Sequence, residues 1–322
     1  MPIKQDSKSA TRKLEQAIKT TRMIATASLA IGVIAIMLAL IPLVSSYLQP
    51  TPANFGHTLA GINNPFTPAQ LAVINNASSA YFETAGEMYL NHSLTNVGTA
   101  PIVQTNALIV NGKPSIIYLG AISCIFCGEN RWAMALALGQ LGHFGSIYKG
   151  YSALQDGDVP TIYWQPARYN VSSGVSFGSN YSSAYLNFVP IEYESQISQG
   201  FQIQPLTYFQ QQAAAYGNPT YISATNVIVT LNSFQGTPYT IWGRDVVSGA
   251  DAIAMTNGTT SLMNMSHADV LRQLAKPNNL FAWEQYAGAD LYIAMACASL
   301  SGSMPPICSL PAIKAIQKTG GY

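Results

Sequence analysis

Charge is what this chain has least of. Asp, Glu, Lys and Arg make up 9% of its 322 residues, against roughly 25% in ordinary soluble proteins. Tyr, Ser, Thr, Asn and Gln supply the polarity instead. There is no basic stripe, no phosphate-binding glycine loop and no metalloprotease helix motif. The formal charge of +1 conceals a split: the first 22 residues carry six basic and two acidic groups, and the rest sums to about −3. That balance excludes a nucleic-acid partner. Scarce ionisable groups also leave little stability to lose when carboxylates protonate. The composition therefore suits an acidic exterior, with a melting temperature expected to change little from neutral to strongly acidic pH.

One long apolar run stands out. Met23–Val44 is uncharged, interrupted only by Thr26, Ser28 and Pro42. At about 1.5 Å per residue it reaches roughly 33 Å, enough to cross a hydrocarbon core. Lys4, Lys8, Arg12, Lys13, Lys19 and Arg22 precede it, and the next basic residue is Lys113. This asymmetry predicts a cytoplasmic N-terminus and an extracellular main domain. A cleaved signal peptide fits less well, because the apolar run is long and Val44-Ser45-Ser46-Tyr47 is a poor cleavage site. The expected organisation is a basic tail (1–22), a single-pass signal anchor (23–44) in contact with membrane lipid, a linker rich in Pro, Gly and Asn (45–66), and an extracytoplasmic domain (67–322). Six N-x-[ST] sequons, at Asn76, Asn91, Asn170, Asn180, Asn257 and Asn264, all follow the anchor. Their placement predicts N-linked glycans.

Chemistry concentrates at Cys124-Ile125-Phe126-Cys127. A strand-like run, Ser115–Ala121 (SIIYLGA), leads in, and an Ala- and Leu-rich helical pattern, roughly Gly128–Leu141, leads out. A cysteine at a helix start meets unpaired backbone N–H groups and the helix dipole, which favour its thiolate. A second cysteine one turn on closes a small disulfide ring, the arrangement of dithiol–disulfide exchange. Elsewhere, Thr67-Pro68-Ala69-Gln70 reads as a capping box opening a helix that runs to about Leu90. Thr161–Trp164 and Tyr185–Pro190 read as short strands, and Pro205–Tyr216 as a helix. Two strands flank a turn at Gly243-Arg244, with Pro238 just before the first; a proline there marks an edge, a strand start or a special turn. Helices over Ser266–Ala275 and Ala282–Leu300 precede a tail that carries Cys308.

The Gly112-Lys113-Pro114 turn, the YLGA strand, the two cysteines, Glu129 and Arg131-Trp132 together resemble an uncharacterised thioredoxin-like family of archaea and actinobacteria, whose members read GKP…YIGAEYCPFCAAERWAL. The likeness continues through Tyr185–Glu192, the VVSGA run at Val246–Ala250 and the tail from Ala296-Cys297 to Ile307-Cys308. It implies an α/β, thioredoxin-like fold with an inserted subdomain (143–225) and a C-terminal helix with a disulfide tail (282–312). It also implies that Pro238 takes the place of the superfamily's cis-proline beside the cysteines, with Pro160 the rival. Ile125 stands where the family has proline, which leaves the redox direction open.

Four cysteines permit three connectivities. The expected one is Cys124–Cys127 with Cys297–Cys308, the second a staple across a loop containing Gly302, Pro305 and Pro306. Two thiolates without further ligands at suitable spacing make no zinc site. Met255, Met263, Met265 and His267 offer copper-type donors, although methionines at a helix start more often pack. Glu129 and Arg131 stand close enough to the cysteines in sequence to tune the thiols, but read first as solvated helix residues. No cofactor and no metal are expected. The function read from these residues is thiol–disulfide exchange with a protein substrate, through Cys124, Cys127 and Pro238. The alternative is a non-catalytic glycosylated subunit of a membrane or cell-surface complex.

Overall fold

The computed structural model describes residues 19, 61–94, 97, 103–104, 109–110, 112–122, 124–153, 157–167, 175–193, 239–242, 245–248, 262–263 and 265–320. The apolar run Met23–Val44, the expected helix Pro205–Tyr216, and Pro238 lie outside these residues. Among the described residues no helix is long and apolar enough to cross a membrane.

Gly112 carries a positive φ of 76°, a conformation glycine adopts without steric cost, and it turns the chain into the strand Lys113–Ala121. The helices before it are α1 (Pro68–Asn75) and α2 (Ser79–Leu90), and the strands up to and including it are β1 (Val103–Gln104), β2 (Ile109–Val110) and β3 (Lys113–Ala121). There follow α3 (Ile125–Leu141), β4 (His143–Ser146), β5 (Tyr148–Tyr151), β6 (Pro160–Tyr163), β7 (Val175–Phe177), β8 (Asn180–Ser182) and β9 (Asn187–Tyr193). The last elements are β10 (Tyr239–Trp242), β11 (Asp245–Ser248), α4 (His267–Ala275), α5 (Leu280–Ser299), a 3₁₀ turn (Pro306–Ser309) and α6 (Pro311–Gly320). The protein is thus of mixed α/β class.

The principal sheet runs β1-β11-β10-β3-β9-β7, and β2 also pairs with β3. β3 is interior: β9 lies parallel on one side, with Tyr118 opposite Pro190 and Gly120 opposite Glu192. β10 lies antiparallel on the other, with Tyr239 opposite Leu119. Asn187–Tyr193 falls inside the span read as an insertion (143–225), yet it stands beside β3 in this sheet. Its run NFVPIEY is nearly all apolar, the pattern of a strand covered on both faces. The pairs β4–β8 and β5–β6 form separate two-stranded sheets.

Two helices are apolar almost all round and correspondingly buried. In α3, Trp132 to Leu138 are fully inaccessible, and Gly139 lets the helix press against the α1 backbone, because a Cβ there would collide with the Ile74 carbonyl. α5 packs against α2, α3 and α6. A helix buried on every side reads as continuous hydrophobicity rather than a stripe. Trp132 anchors the centre. Its indole N–H donates to the Pro160 carbonyl at 3.0 Å, and its ring stacks on Phe66 at 6.1 Å.

Three expectations need revision. The helix opening at Thr67 forms its capping box but stops at Asn75, and a second helix starts after Ser78. Asn75 bonds the Phe144 backbone through both its amide groups, which favours a bend over another helical turn. The linker ends before residue 66: Asn63 bonds the Lys149 carbonyl, Pro65 bridges to Tyr148, and Phe66 is in the core. The cysteine-containing tail continues into α6, which buries Ala312, Ile313 and Ile316 on one face.

Candidate functional site around Cys124 and Cys127

β3 delivers the chain to the start of α3, and Cys124 caps that helix. Its backbone is extended (φ −74°, ψ 125°) and its Sγ accepts from the Cys127 N–H at 3.3 Å. The helix begins three residues earlier than its Ala/Leu pattern announced, because the residues between the cysteines form the first turn. Both cysteines are thiols and both are buried. They are not equivalent: Cys124 retains 6% exposure and Cys127 none, while Phe126 between them is 41% exposed. Burial pushes the Cys127 thiol well above its ordinary range, and neighbouring Cys124 adds to this, whereas Arg131 pulls the other way.

Arg131 lies one helical turn beyond Cys127 and is fully buried, which overturns its reading as a solvated residue. Its Nε and Nη2 donate to the two Glu192 carboxylate oxygens at 2.7 Å each. Its Nη1 donates to Thr161 Oγ1 at 3.3 Å, and that hydroxyl donates to the Gly128 carbonyl at 2.9 Å. The guanidinium also lies over the rings of Tyr118 and Tyr163, at 5.7 Å and 5.9 Å from their centroids. A buried ion pair holds when the fork matches the carboxylate and further hydrogen bonds support it, and here the Glu192 fork and the Thr161 hydroxyl supply both. A fixed positive charge therefore sits beneath Cys127, tied to β9 through Glu192.

Glu129 is also buried, on a different side of α3. Burial pushes its carboxyl up to about 9, with Glu284 of α5 contributing. Neither Glu129 oxygen has a hydrogen-bond partner among the described residues. Next to it on α3, Asn130 Oδ1 accepts from the Tyr292 hydroxyl of α5. So α3 offers Cys127 and Arg131 to β9 and β6, and Glu129 and Asn130 to α5.

Cys297 and Cys308 form a disulfide with Cα atoms 5.7 Å apart, which ties the end of α5 to the 3₁₀ turn. Pro160 is buried in β6, outside the principal sheet. Asn76, Asn91 and Asn180 are exposed; Asn170, Asn257 and Asn264 fall outside the described residues. His267 Nε2 lies 2.9 Å from the Thr161 carbonyl oxygen and is buried, while Met263 is 46% exposed; Met255 is outside the described residues. Among the described residues no group of three or more His, Cys, Asp and Glu side chains converges as a metal site would.

Sequence reasoning passed over Tyr118, Thr161 and Glu192. Glu192 carried a signal: in a chain with so little charge, a glutamate inside the apolar run FVPIEY demands a buried partner. Tyr118 and Thr161 carried none, since nothing local marks which strand residue faces a helix from another part of the chain.

No curated protein and no solved structure matches the chain. Residues 101–218, which hold β3, both cysteines, Arg131 and Glu192, match the family model described as Domain of unknown function (DUF929).

Proposed function

We propose that this protein is a thioredoxin-like thiol–disulfide oxidoreductase, anchored by Met23–Val44 with its main domain outside the cell. The observation that carries the reading is the inequivalence of the two thiols. Cys124 is the helix N-cap at the rim, with its Sγ accepting a backbone N–H, and Cys127 is enclosed beside a buried arginine. An outer sulfur placed for attack and an inner one held for resolution is what disulfide exchange requires. The order β11-β10-β3-β9, with CxxC after the interior strand, supports the thioredoxin-like fold. The chain enters β10 opposite Leu119 near the end of β3, which favours Pro238 over Pro160 as the proline beside the cysteines.

In this reading a substrate disulfide takes the Cys124 thiolate at one sulfur and releases the other as a thiol. Cys127 then attacks Cys124 Sγ, the Cys124–substrate bond breaks, and the substrate leaves fully reduced. The reverse sequence oxidises a substrate dithiol, and the reduction potential decides between them. The exposed asparagines Asn76, Asn91 and Asn180 are open to glycan attachment. The deciding experiment is a Cys127→Ala substitution in the full chain. It is expected to accumulate a mixed disulfide at Cys124 with a model dithiol or disulfide peptide, visible by mass and released by dithiothreitol. No trapped adduct, together with a wild-type pair that resists reduction until unfolding, would give the answer to the second reading. That reading is a non-catalytic subunit of a membrane or cell-surface complex, and the near-complete burial of both cysteine residues favours it.

A further inference from the structure

Three helices meet at the carboxyl of Asp290. This residue of α5 is wholly inaccessible, and neither of its oxygens has a hydrogen-bond partner among the described residues. Gly86 of α2 marks the place. A Cβ on that glycine would stand 2.7 Å from Ala312 Cβ, 3.2 Å from Asp290 Oδ2 and 3.5 Å from Ile316 Cδ1. The carboxyl therefore sits where α2, α5 and α6 press together, under the buried face of α6. A buried carboxyl with neither donor nor cation is held as the neutral acid, because its ionised form has no solvation there.

The neighbours act in the same direction. Glu83 lies one turn before Gly86 on α2, and the Ala312 N–H at the start of α6 donates to its two carboxyl oxygens at 3.2 Å and 3.3 Å. Burial, with Glu83 adding to it, pushes the Asp290 carboxyl well above its ordinary 3.8. No counter-charge comes from α6, whose Lys314 and Lys318 are both exposed. On α3 the buried acid is Glu129, which lies beside Glu284 of α5. β10 and the 3₁₀ turn also pack on α5, and neither carries a charged residue.

α6 is the element placed to yield. It is the last helix and ten residues long, and a terminal element opens at lower free energy than the core. Ala312, Ile313 and Ile316 hold it by burial, and Gln317 Nε2 donates to the Ala294 carbonyl of α5 at 3.0 Å. Lifting α6 admits water to Asp290, while the Cys297–Cys308 disulfide keeps the start of the helix tethered to α5. We propose that α6 is a proton-controlled latch, docked over protonated Asp290 in acid and freed progressively as the pH rises and Asp290 ionises. The latch is independent of the chemistry at Cys124 and Cys127. Its sign follows from linkage. With α6 lifted, Asp290 ionises near 3.8; below that pH both states hold the proton and docking does not respond to pH. Above it the docked state alone keeps the proton, so the lifted state gains about tenfold per pH unit.

Hydrogen exchange of the full chain between about pH 3 and 7, read by mass on peptides from α6 and from α3, tests this. Rates are divided by the intrinsic exchange rate at each pH to give protection factors. In the wild type, α6 is expected to be less protected than α3 throughout. Its protection should be level below about pH 4 and then fall about tenfold per unit. Asp290→Asn keeps the shape and removes the titration, so α6 protection in that variant should become nearly independent of pH. If the variant folds poorly, the wild-type profile decides alone, because an opening confined to α6 exposes Asp290 and leaves Glu129 buried. Three results would each overturn the latch: α6 and α3 equally protected at every pH, wild-type α6 protection that stays level across the range, or an unaltered α6 slope in Asp290→Asn.

Discussion

Replacing Glu129 by Gln should make the protein's stability much less sensitive to pH. Glu129 is buried on α3 beside Glu284, with its carboxyl pushed from 4.5 to about 9. In the unfolded chain it ionises near the lower value. Below that pH both states hold the proton and the group contributes nothing. Between the two values the folded state keeps a proton that the unfolded state has released, so stability falls as pH rises, by about 1.36 kcal/mol per unit. Taken from 4.5 up to pH 7, the loss is roughly 3 kcal/mol. Asp290 of α5 is fully buried and also pushed up, by burial and by Glu83, so it adds a slope of the same sign that the variant retains. These two carboxyls predict stability that climbs toward acid pH, against the flat response expected from composition. Glu129→Gln keeps the shape and removes the titration. Urea unfolding followed by tryptophan fluorescence, from pH 4 to 8 at fixed ionic strength, should show the variant gaining roughly 3 kcal/mol on wild type between pH 4 and 7. Parallel curves for the two proteins would refute the reasoning.

Two further outcomes follow from the buried ion pair and the staple. Arg131→Met leaves the Glu192 carboxylate buried without its fork and should cost about 3–5 kcal/mol in chemical denaturation; the Arg131→Met, Glu192→Met double variant should recover most of that loss. Cys308→Ala should lower stability by roughly 2–4 kcal/mol under oxidising conditions, and dithiothreitol should bring wild type down to the same value.

The sequence determined the local features by itself. A seven-residue apolar run flanked by a positive-φ glycine and a cysteine pair has few options other than a strand ending at a helix start, and Thr67 and Gln70 form a cap from their spacing alone. Ser266 caps α4 in the same way, its hydroxyl accepting from the Asp269 N–H. Such structure rests on contacts within one turn, so residues three or four apart encode it.

Only the tertiary structure decided what surrounds the cysteines. Arg131 and Glu129 sit on a helix whose outward and inward sides look alike in sequence, since almost the whole of α3 is covered. Helical periodicity therefore had no polar face to point to. A lone arginine usually faces solvent; the partner that buries Arg131, Glu192, is 61 residues away and becomes adjacent only when β9 pairs with β3. Tyr118 acquires its place because Gly120 leaves room for a phenol and β9 brings Glu192 opposite that glycine. A strand's neighbours are chosen by the fold as a whole, so the Arg131–Glu192 pair one turn from Cys127, and the Tyr118 ring packed on it, are products of the assembled sheet.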